Sequence, residues 1–366
     1  MKVMTILGTR PEIIRLSRII RQLDRFCEHL FVHTGQNYEE SLSDVFLREL
    51  GLRAPDVHLG VRAAGFGEQV ARILEGIDRL LAERRPDRIV ILGDTNSALS
   101  SIVGARRGIP VFHLEAGNRC YDDRVPEEVN RRLIDHSSTV LMPYTERSKE
   151  NLVREGIERE RIFVIGNPIF EVLTANETRI DASDVLTRLG VAPRGYFLAT
   201  LHRAENVDDP ARLAILLSSM ERVAGEFGSS VLVSVHPRTA DRIRRAGLSA
   251  DAKKVRLLEP FGFLDFVKLE KHARAVLTDS GTVQEECAIF RVPNVTLRDV
   301  TERPETIECG SNALTGADPE SIIRALRISL ESGNEWSPPA GYTTKVVSVT
   351  VVKTVLGHLS VRRHAS

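Results

Sequence analysis

Short runs of β-branched and other apolar residues alternate with helix-length amphipathic stretches along this 366-residue chain, and the rhythm runs through twice. Residues 3–7, 30–33, 89–92, 111–114, 139–142 and 162–165 read as strands, with helical patterns over 12–23, 68–83 and 127–136. After a polar stretch at 176–195, which holds a short helix-like piece, strands are predicted again at 196–201, 231–235, 255–258, 275–278 and 294–297. Strands that alternate with helices form parallel sheets covered on both faces. The expected fold class is therefore α/β, with two Rossmann-like doubly wound domains facing a central cleft. The expected boundary lies near Gly166-Asn167-Pro168, giving domains over 1–170 and 171–342, with a C-terminal helix at about 343–366 packing back on the first.

Composition narrows the function class. Lys plus Arg equals Asp plus Glu, 50 against 50, so no bulk charge points to nucleic acid or a membrane surface. Any anion site must be built locally. The four cysteines, Cys27, Cys120, Cys287 and Cys309, lie far apart without metal-type spacing, as expected of free thiols in a reducing compartment. No apolar run approaches the roughly 20 residues of a membrane span. The first apolar run turns at once into Gly8-Thr9-Arg10-Pro11, unlike a signal peptide. The expectation is a soluble cytoplasmic protein.

In open α/β sheets, ligands sit beyond the carboxyl ends of the strands. The polar residues of this chain gather there: Gly8-Thr9-Arg10, Gly93-Asp94-Thr95-Asn96, His113 to Gly117, Leu201-His202-Arg203, His236-Pro237-Arg238 and Thr278-Asp279-Ser280-Gly281. In the last of these, a strand feeds a small-residue turn and then a helix. Backbone N–H groups at such a helix start favour a diphosphate, and Gly281 permits close approach. Glu286, about one turn on, could accept hydrogen bonds from ribose hydroxyls. The competing reading is a capping box between Thr282 and Glu285.

Arg10 could reach a phosphate or carboxylate from the first turn of a helix. Arg15 is the weaker candidate, since helix faces often carry arginine. Asp94 and Glu115 follow apolar strands, where poor solvation suits general acid–base work. Asp94 could instead cap the following helix. Glu127 and Glu128 follow Pro126, where acids also favour a helix dipole. His202, with Arg203, Glu205 and Asn206 beside it, could bind a phosphate or give it a proton. His113 fits a structural role better. The histidine and acid spacings are not those of a metal site. No Gly-x-Gly-x-x-Gly follows the first strand and no P-loop occurs, so neither a nicotinamide cofactor nor P-loop NTP hydrolysis is expected.

Together these segments resemble the non-hydrolysing UDP-N-acetylglucosamine 2-epimerases. The resemblance is carried in family order by Gly8 to Glu12, Gly93-Asp94-Thr95, His113 to Arg119, Pro126 to Arg131, Gly166-Asn167, His202 to Asn206, Thr278 to Glu286 and Thr301 to Glu305. It implies a GT-B-like architecture and a homodimer. It also implies interconversion of UDP-N-acetylglucosamine and UDP-N-acetylmannosamine without metal or NAD, through elimination of UDP to a 2-acetamidoglucal. By position, Asp94, Glu115 and Glu127 match the family's catalytic carboxylates, and His202 matches its histidine near the diphosphate. Arg10, Ser280 and Gly281 match phosphate contacts, and Glu286 matches the ribose contact. His236 and Phe263 lie in segments that border the nucleotide, while Arg15 and Thr282 stand where a Lys and a Gly are common.

Other departures bear on the sugar. Gln36-Asn37-Tyr38, Gly117-Asn118-Arg119-Cys120 and His236-Pro237-Arg238-Thr239 are more similar to the branch that forms UDP-N-acetyl-L-fucosamine by the same chemistry. Asn37 replaces a frequent His in a segment tied to activation by a second UDP-sugar, which puts such regulation in doubt. The competing activities are a UDP-dependent glycosyltransferase of the same architecture, a hydrolysing epimerase and a non-catalytic UDP-sugar sensor.

Overall fold

The computed structural model describes residues 1–36 and 40–357. The chain divides into two compact units, Met1–Ala175 with the stretch from Ala340 onward, and Asn176–Pro339. Each is built on its own six-stranded, all-parallel sheet.

In the first unit the strands are β1 (Lys2–Leu7), β2 (Glu28–His33), β3 (Val57–His58), β4 (Arg88–Leu92), β5 (Val111–Leu114) and β6 (Val140–Met142). Their spatial order is β3-β2-β1-β4-β5-β6. The second unit has β7 (Phe197–Leu201), β8 (Val231–Val235), β9 (Val255–Leu258), β10 (Val276–Thr278), β11 (Asn294–Thr296) and β12 (Asn312–Leu314), in the order β12-β11-β10-β7-β8-β9. Counted within its unit, each sheet runs 3-2-1-4-5-6, the doubly wound dinucleotide-type order. The chain reverses its winding between β1 and β4 in one sheet and between β7 and β10 in the other. Those two switch points are where such sheets open a crevice for ligands.

The apolar runs form strands because helices cover both faces. Val3, Met4, Ile6 and Leu7 on β1, and Ile89 to Leu92 on β4, are buried, as are the residues of β7. Burying each such side chain contributes about 1.5–3 kcal/mol, which outweighs any local preference. Helix starts follow the chemistry of caps. Pro11 stands in the first turn of the helix Arg10–Phe26 after the Thr9 N-cap, and Asp209 caps the helix Pro210–Phe227.

Two details differ from expectation. Residues 162–165 form no strand; Ile162 makes a single bridge to Leu141 before the chain turns away at Gly166, whose φ is 84°. The short edge strands β3 and β12 were not expected, because two or three residues carry no readable alternation. The last described helix, Val347–Leu356, packs on the helix Arg10–Phe26 within the first unit. Ser348 donates from N to Glu171 Oε2 at 2.7 Å, and Arg88 Nη1 to the Gly357 carbonyl at 2.9 Å. Asn37 and Tyr38, and the end of the expected C-terminal helix beyond residue 357, lie outside the described residues. Among the described residues no helix is long and apolar enough to cross a membrane.

Candidate active site

The turn after β1 and the turn after β4 flank the first switch point, and one buried carboxylate joins them. Glu12, in the first turn of the helix Arg10–Phe26, accepts from Gly8 N at 3.0 Å, Thr9 N at 2.8 Å and Thr9 Oγ1 at 2.8 Å. Its other oxygen accepts from Thr95 Oγ1, beyond β4, at 3.0 Å. Burial raises the Glu12 pKa to about 7 despite the hydrogen bond from Gly8 and the others. Glu12 was read only as part of a motif; its spacing from Thr9 fits a capping box, which hides its reach to Thr95.

Asp94 follows Gly93, whose φ of 72° favours glycine and turns the chain at the end of β4. Arg131 holds the Asp94 carboxylate, with Nε at 2.8 Å and Nη2 at 2.7 Å from Oδ2. The Asp94 side chain stays 25% exposed while the arginine is buried. Asn130 Nδ2 donates to the Asp94 carbonyl at 3.0 Å. Both partners come from the helix Pro126–Ser137, which also carries the half-buried Glu127 in its first turn. The neighbouring Glu128 is fully buried and committed elsewhere. It accepts from Cys120 N and Tyr121 N at 3.0 Å each, and from Arg131 Nη1 at 2.8 Å. Burial pushes its carboxyl upward, but the hydrogen bonds from Cys120 and Arg131 outweigh that and leave it below the usual range.

Glu115, just past β5, has a φ of 65°, a left-handed conformation that costs a non-glycine residue about 1–2 kcal/mol. Such strain is often kept where a side chain must be aimed. Arg15 Nη1 lies 2.7 Å from its Oε2, with Tyr144 Oη at 3.3 Å, and Asn118 Nδ2 lies 3.3 Å from Oε1. Arg15, expected beside the substrate, is thus the buried counter-ion of Glu115. Arg10 is half-buried, its guanidinium 5.8 Å from the centre of the Phe46 ring. His113 is buried, held between the Gly93 carbonyl at 2.8 Å and Asp135 at 2.9 Å. It supports the turn that presents Asp94.

The second switch point repeats the device. Asp279, beyond β10, accepts from His202 N, Arg203 N and Asn206 Nδ2 at 3.0, 3.0 and 3.1 Å. Its Oδ1 lies 3.0 Å from His202 Nδ1, so the ring is fixed through one nitrogen while the side chain remains 40% exposed. Burial pushes the fully enclosed Asp279 upward, but the charge and hydrogen bond of His202, with Arg203 and Asn206, lower its pKa to about 2. Asp279, read only as part of the turn before Ser280, ties the β7 turn to the β10 turn.

Ser280 is the N-cap of the helix Gly281–Phe290 and makes no side-chain capping bond; its Oγ meets Thr282 Oγ1 at 2.9 Å. The alternative capping box does not form. Thr282 lies inside the helix, and Glu285 is spent on an ion pair with Arg303. A Cβ on Gly281 would sit 3.1 Å from Glu302 Oε1, so this glycine admits the carboxylate of the Thr301–Glu305 motif. Arg298, fully buried, pairs with that Glu302 at 2.7 Å and with Glu205 at 3.1 Å, while Arg203 lies 3.4 Å from it. Glu286 is nearly buried one turn into the helix. His236 caps the helix Pro237–Arg245, its Nδ1 accepting from Arg238 N at 3.3 Å. Phe263 is buried at the start of the helix Phe263–His272. Among the described residues no three His, Cys, Asp or Glu side chains are grouped to hold a metal ion.

The model of the family described as UDP-N-acetylglucosamine 2-epimerase matches residues 21–355. The chain belongs to the UDP-N-acetylglucosamine 2-epimerase family. A UDP-N-acetylglucosamine 2-epimerase of Methanocaldococcus jannaschii is 42% identical over 349 residues, 93% of this chain and 95% of that relative. A crystal structure of the M. jannaschii UDP-GlcNAc 2-epimerase, in complex with UDP-GlcNAc and UDP, matches with a TM-score of 0.92 at 40% identity, covering 97% of this chain and 99% of that one. A UDP-2,3-diacetamido-2,3-dideoxy-D-glucuronate 2-epimerase of Pseudomonas aeruginosa is 35% identical over 334 residues, 90% of this chain and 92% of that relative. The 2-epimerase family thus accounts for both Rossmann-like units, and its relatives differ by name in the sugar they act on.

Proposed function

We propose that the chain interconverts UDP-N-acetylglucosamine and UDP-N-acetylmannosamine by epimerisation at carbon 2, as a non-hydrolysing isomerase. The observation that carries the reading is the pair of carboxylates at the ends of β4 and β5. Asp94 and Glu115 are each held by a buried guanidinium, from Arg131 and Arg15.

The hydrogen on carbon 2 has no neighbouring carbonyl and is not acidic in the ground state. As the bond to the diphosphate breaks, carbon 1 gains positive charge and acidifies it. A base then takes the proton, leaving a 2-acetamidoglucal and UDP. Returning the proton to the other face, with re-addition of UDP, gives the epimer. Such a reaction needs carboxylates for both faces and stabilisation of leaving UDP. Asp94, Glu115 and Glu127 supply the acids and bases. His202, fixed by Asp279, serves the diphosphate with Arg10, Ser280, Gly281 and Thr282. Glu286 takes the ribose hydroxyls, and His236 and Phe263 border the nucleotide. Arg15 acts through Glu115. The reaction is redox-neutral overall and needs no NAD or metal. The working form is a cytoplasmic homodimer.

The test is an NMR assay in heavy water on the full chain with a UDP-sugar and a chelator. Deuterium entering carbon 2, with both epimers formed and UDP not accumulating, is the expected result. Recovery of undeuterated sugar from folded protein across a panel of UDP-HexNAc donors would refute the reading. The 35% identical relative named for a different sugar justifies a panel that includes 6-deoxy and acidic UDP-HexNAc donors.

A further inference from the structure

We infer that Glu270 carries a proton and donates it to Glu286, acting as a neutral positioning residue for the carboxylate proposed to hold the ribose. The inference rests on that reading of Glu286. Glu270 lies on the helix Phe263–His272 and Glu286 on the helix Gly281–Phe290, two helices that pack together. Glu270 is fully buried and Glu286 nearly so.

The two oxygens of Glu270 are not equivalent. Oε1 accepts from the buried Cys287 Sγ at 3.4 Å. Oε2 is buried, and no protein donor among the described residues reaches it. The remaining neighbour is Glu286, whose side chain is in hydrogen-bond contact with Glu270. Two carboxylates cannot hydrogen-bond unless one is protonated. The proton belongs on the Oε2 of Glu270, the group with no access to water. Burial and the charge of Glu286 both hold Glu270 well above the usual carboxylate range. Among the described residues, the groups that act on it are Glu286 and Cys287, neither of them a cation.

An O–H donated to a carboxylate is a short, strong and directional bond. It leaves Glu286 ionised and held in one rotamer. A ribose diol is a double donor and fits such a carboxylate. This device is distinct from the guanidinium pairs of Asp94 and Glu115.

The test is calorimetric binding of UDP and of 2′,3′-dideoxy-UDP to the full chain and to Glu270→Gln, Glu270→Leu and Glu286→Ala. Wild type should prefer UDP by on the order of tenfold or more, as for a buried hydrogen-bonded acceptor pair. Glu286→Ala should abolish the preference; if the preference survives there, the ribose reading fails whatever Glu270 does. If Glu286→Ala abolishes it, Glu270→Gln should keep it, since the amide N–H replaces the O–H, and Glu270→Leu should lose most of it. A wild-type preference in Glu270→Leu overturns the inference, as does loss in Glu270→Gln equal to that in Glu270→Leu. Should Glu270→Leu fail to fold, the infrared difference between wild type and Glu270→Gln at pH 8 decides. A protonated-carboxyl band in wild type supports the assignment and its absence overturns it.

Discussion

Asp279→Asn is the most revealing single change, because it separates the orientation of His202 from the presence of His202. Asp279 is fully buried and accepts from His202 N, Arg203 N and Asn206 Nδ2, with His202 Nδ1 3.0 Å from Oδ1. Asparagine keeps the shape but turns one acceptor oxygen into an NH2. At least one buried N–H then faces a donor, which costs about 1–3 kcal/mol. The depressed pKa gives an independent figure. A fall from 3.8 to about 2 corresponds to roughly 2 kcal/mol of interaction that favours the charged form. Because the folded pKa is lowered, this stability is present above pH 4 and is lost as pH falls toward 2. Asp279→Asn should therefore unfold at lower urea than wild type at pH 7, and the gap should close toward pH 2.

Activity should suffer more than stability. Without the carboxylate, His202 loses the partner that fixes its ring through Nδ1. A positioned acid contributes roughly 10²–10⁴-fold, so kcat should fall within that range. NMR turnover measures kcat and KM, and calorimetry measures UDP affinity. A kcat within about threefold of wild type, in a variant destabilised by the expected amount, would refute the positioning role and leave Asp279 a structural tie.

Two further outcomes follow from the first unit. Arg131→Ala strands the buried Glu128 and releases Asp94, so it should cost about 3–5 kcal/mol in urea unfolding and lower kcat as well; a loss below about 1 kcal/mol would contradict the assignment. Glu12 is raised from 4.5 to about 7, so the stability it contributes is fully present below pH 4.5 and is lost as pH rises through 7. Glu12→Gln should flatten the fall in unfolding free energy between pH 5 and 8, a window worth about 3 kcal/mol, and an unchanged slope would show that burial does not raise this group.

Much of the architecture was readable from pattern because burial on both faces demands apolar runs, and β1, β4, β7 and β8 are such runs. The β3 and β12 edges were not, since two or three residues leave no period. The strand expected at 162–165 shows the opposite error, an apolar run that the left-handed Gly166 ends after one bridge.

Residue type and place along the chain already marked Asp94, Glu115, His202 and the Ser280-Gly281 turn, because polar residues directly after buried strands have nowhere to go but the carboxyl edge of a sheet. What each of them pairs with was a tertiary matter. Arg15 and Glu115 are 100 residues apart, His202 and Asp279 are 77 apart, and Glu12 reaches Thr95 across 83. No local period encodes such distances. The last two arise because the 3-2-1-4-5-6 winding sets the first and fourth strands of each unit side by side, and the first reaches one strand further, to the end of β5. That juxtaposition makes Glu12 and Asp279 the two buried ties of the switch points. The packing of the helices on either side of β10 likewise set Glu270 beside Glu286, both out of reach of bulk water.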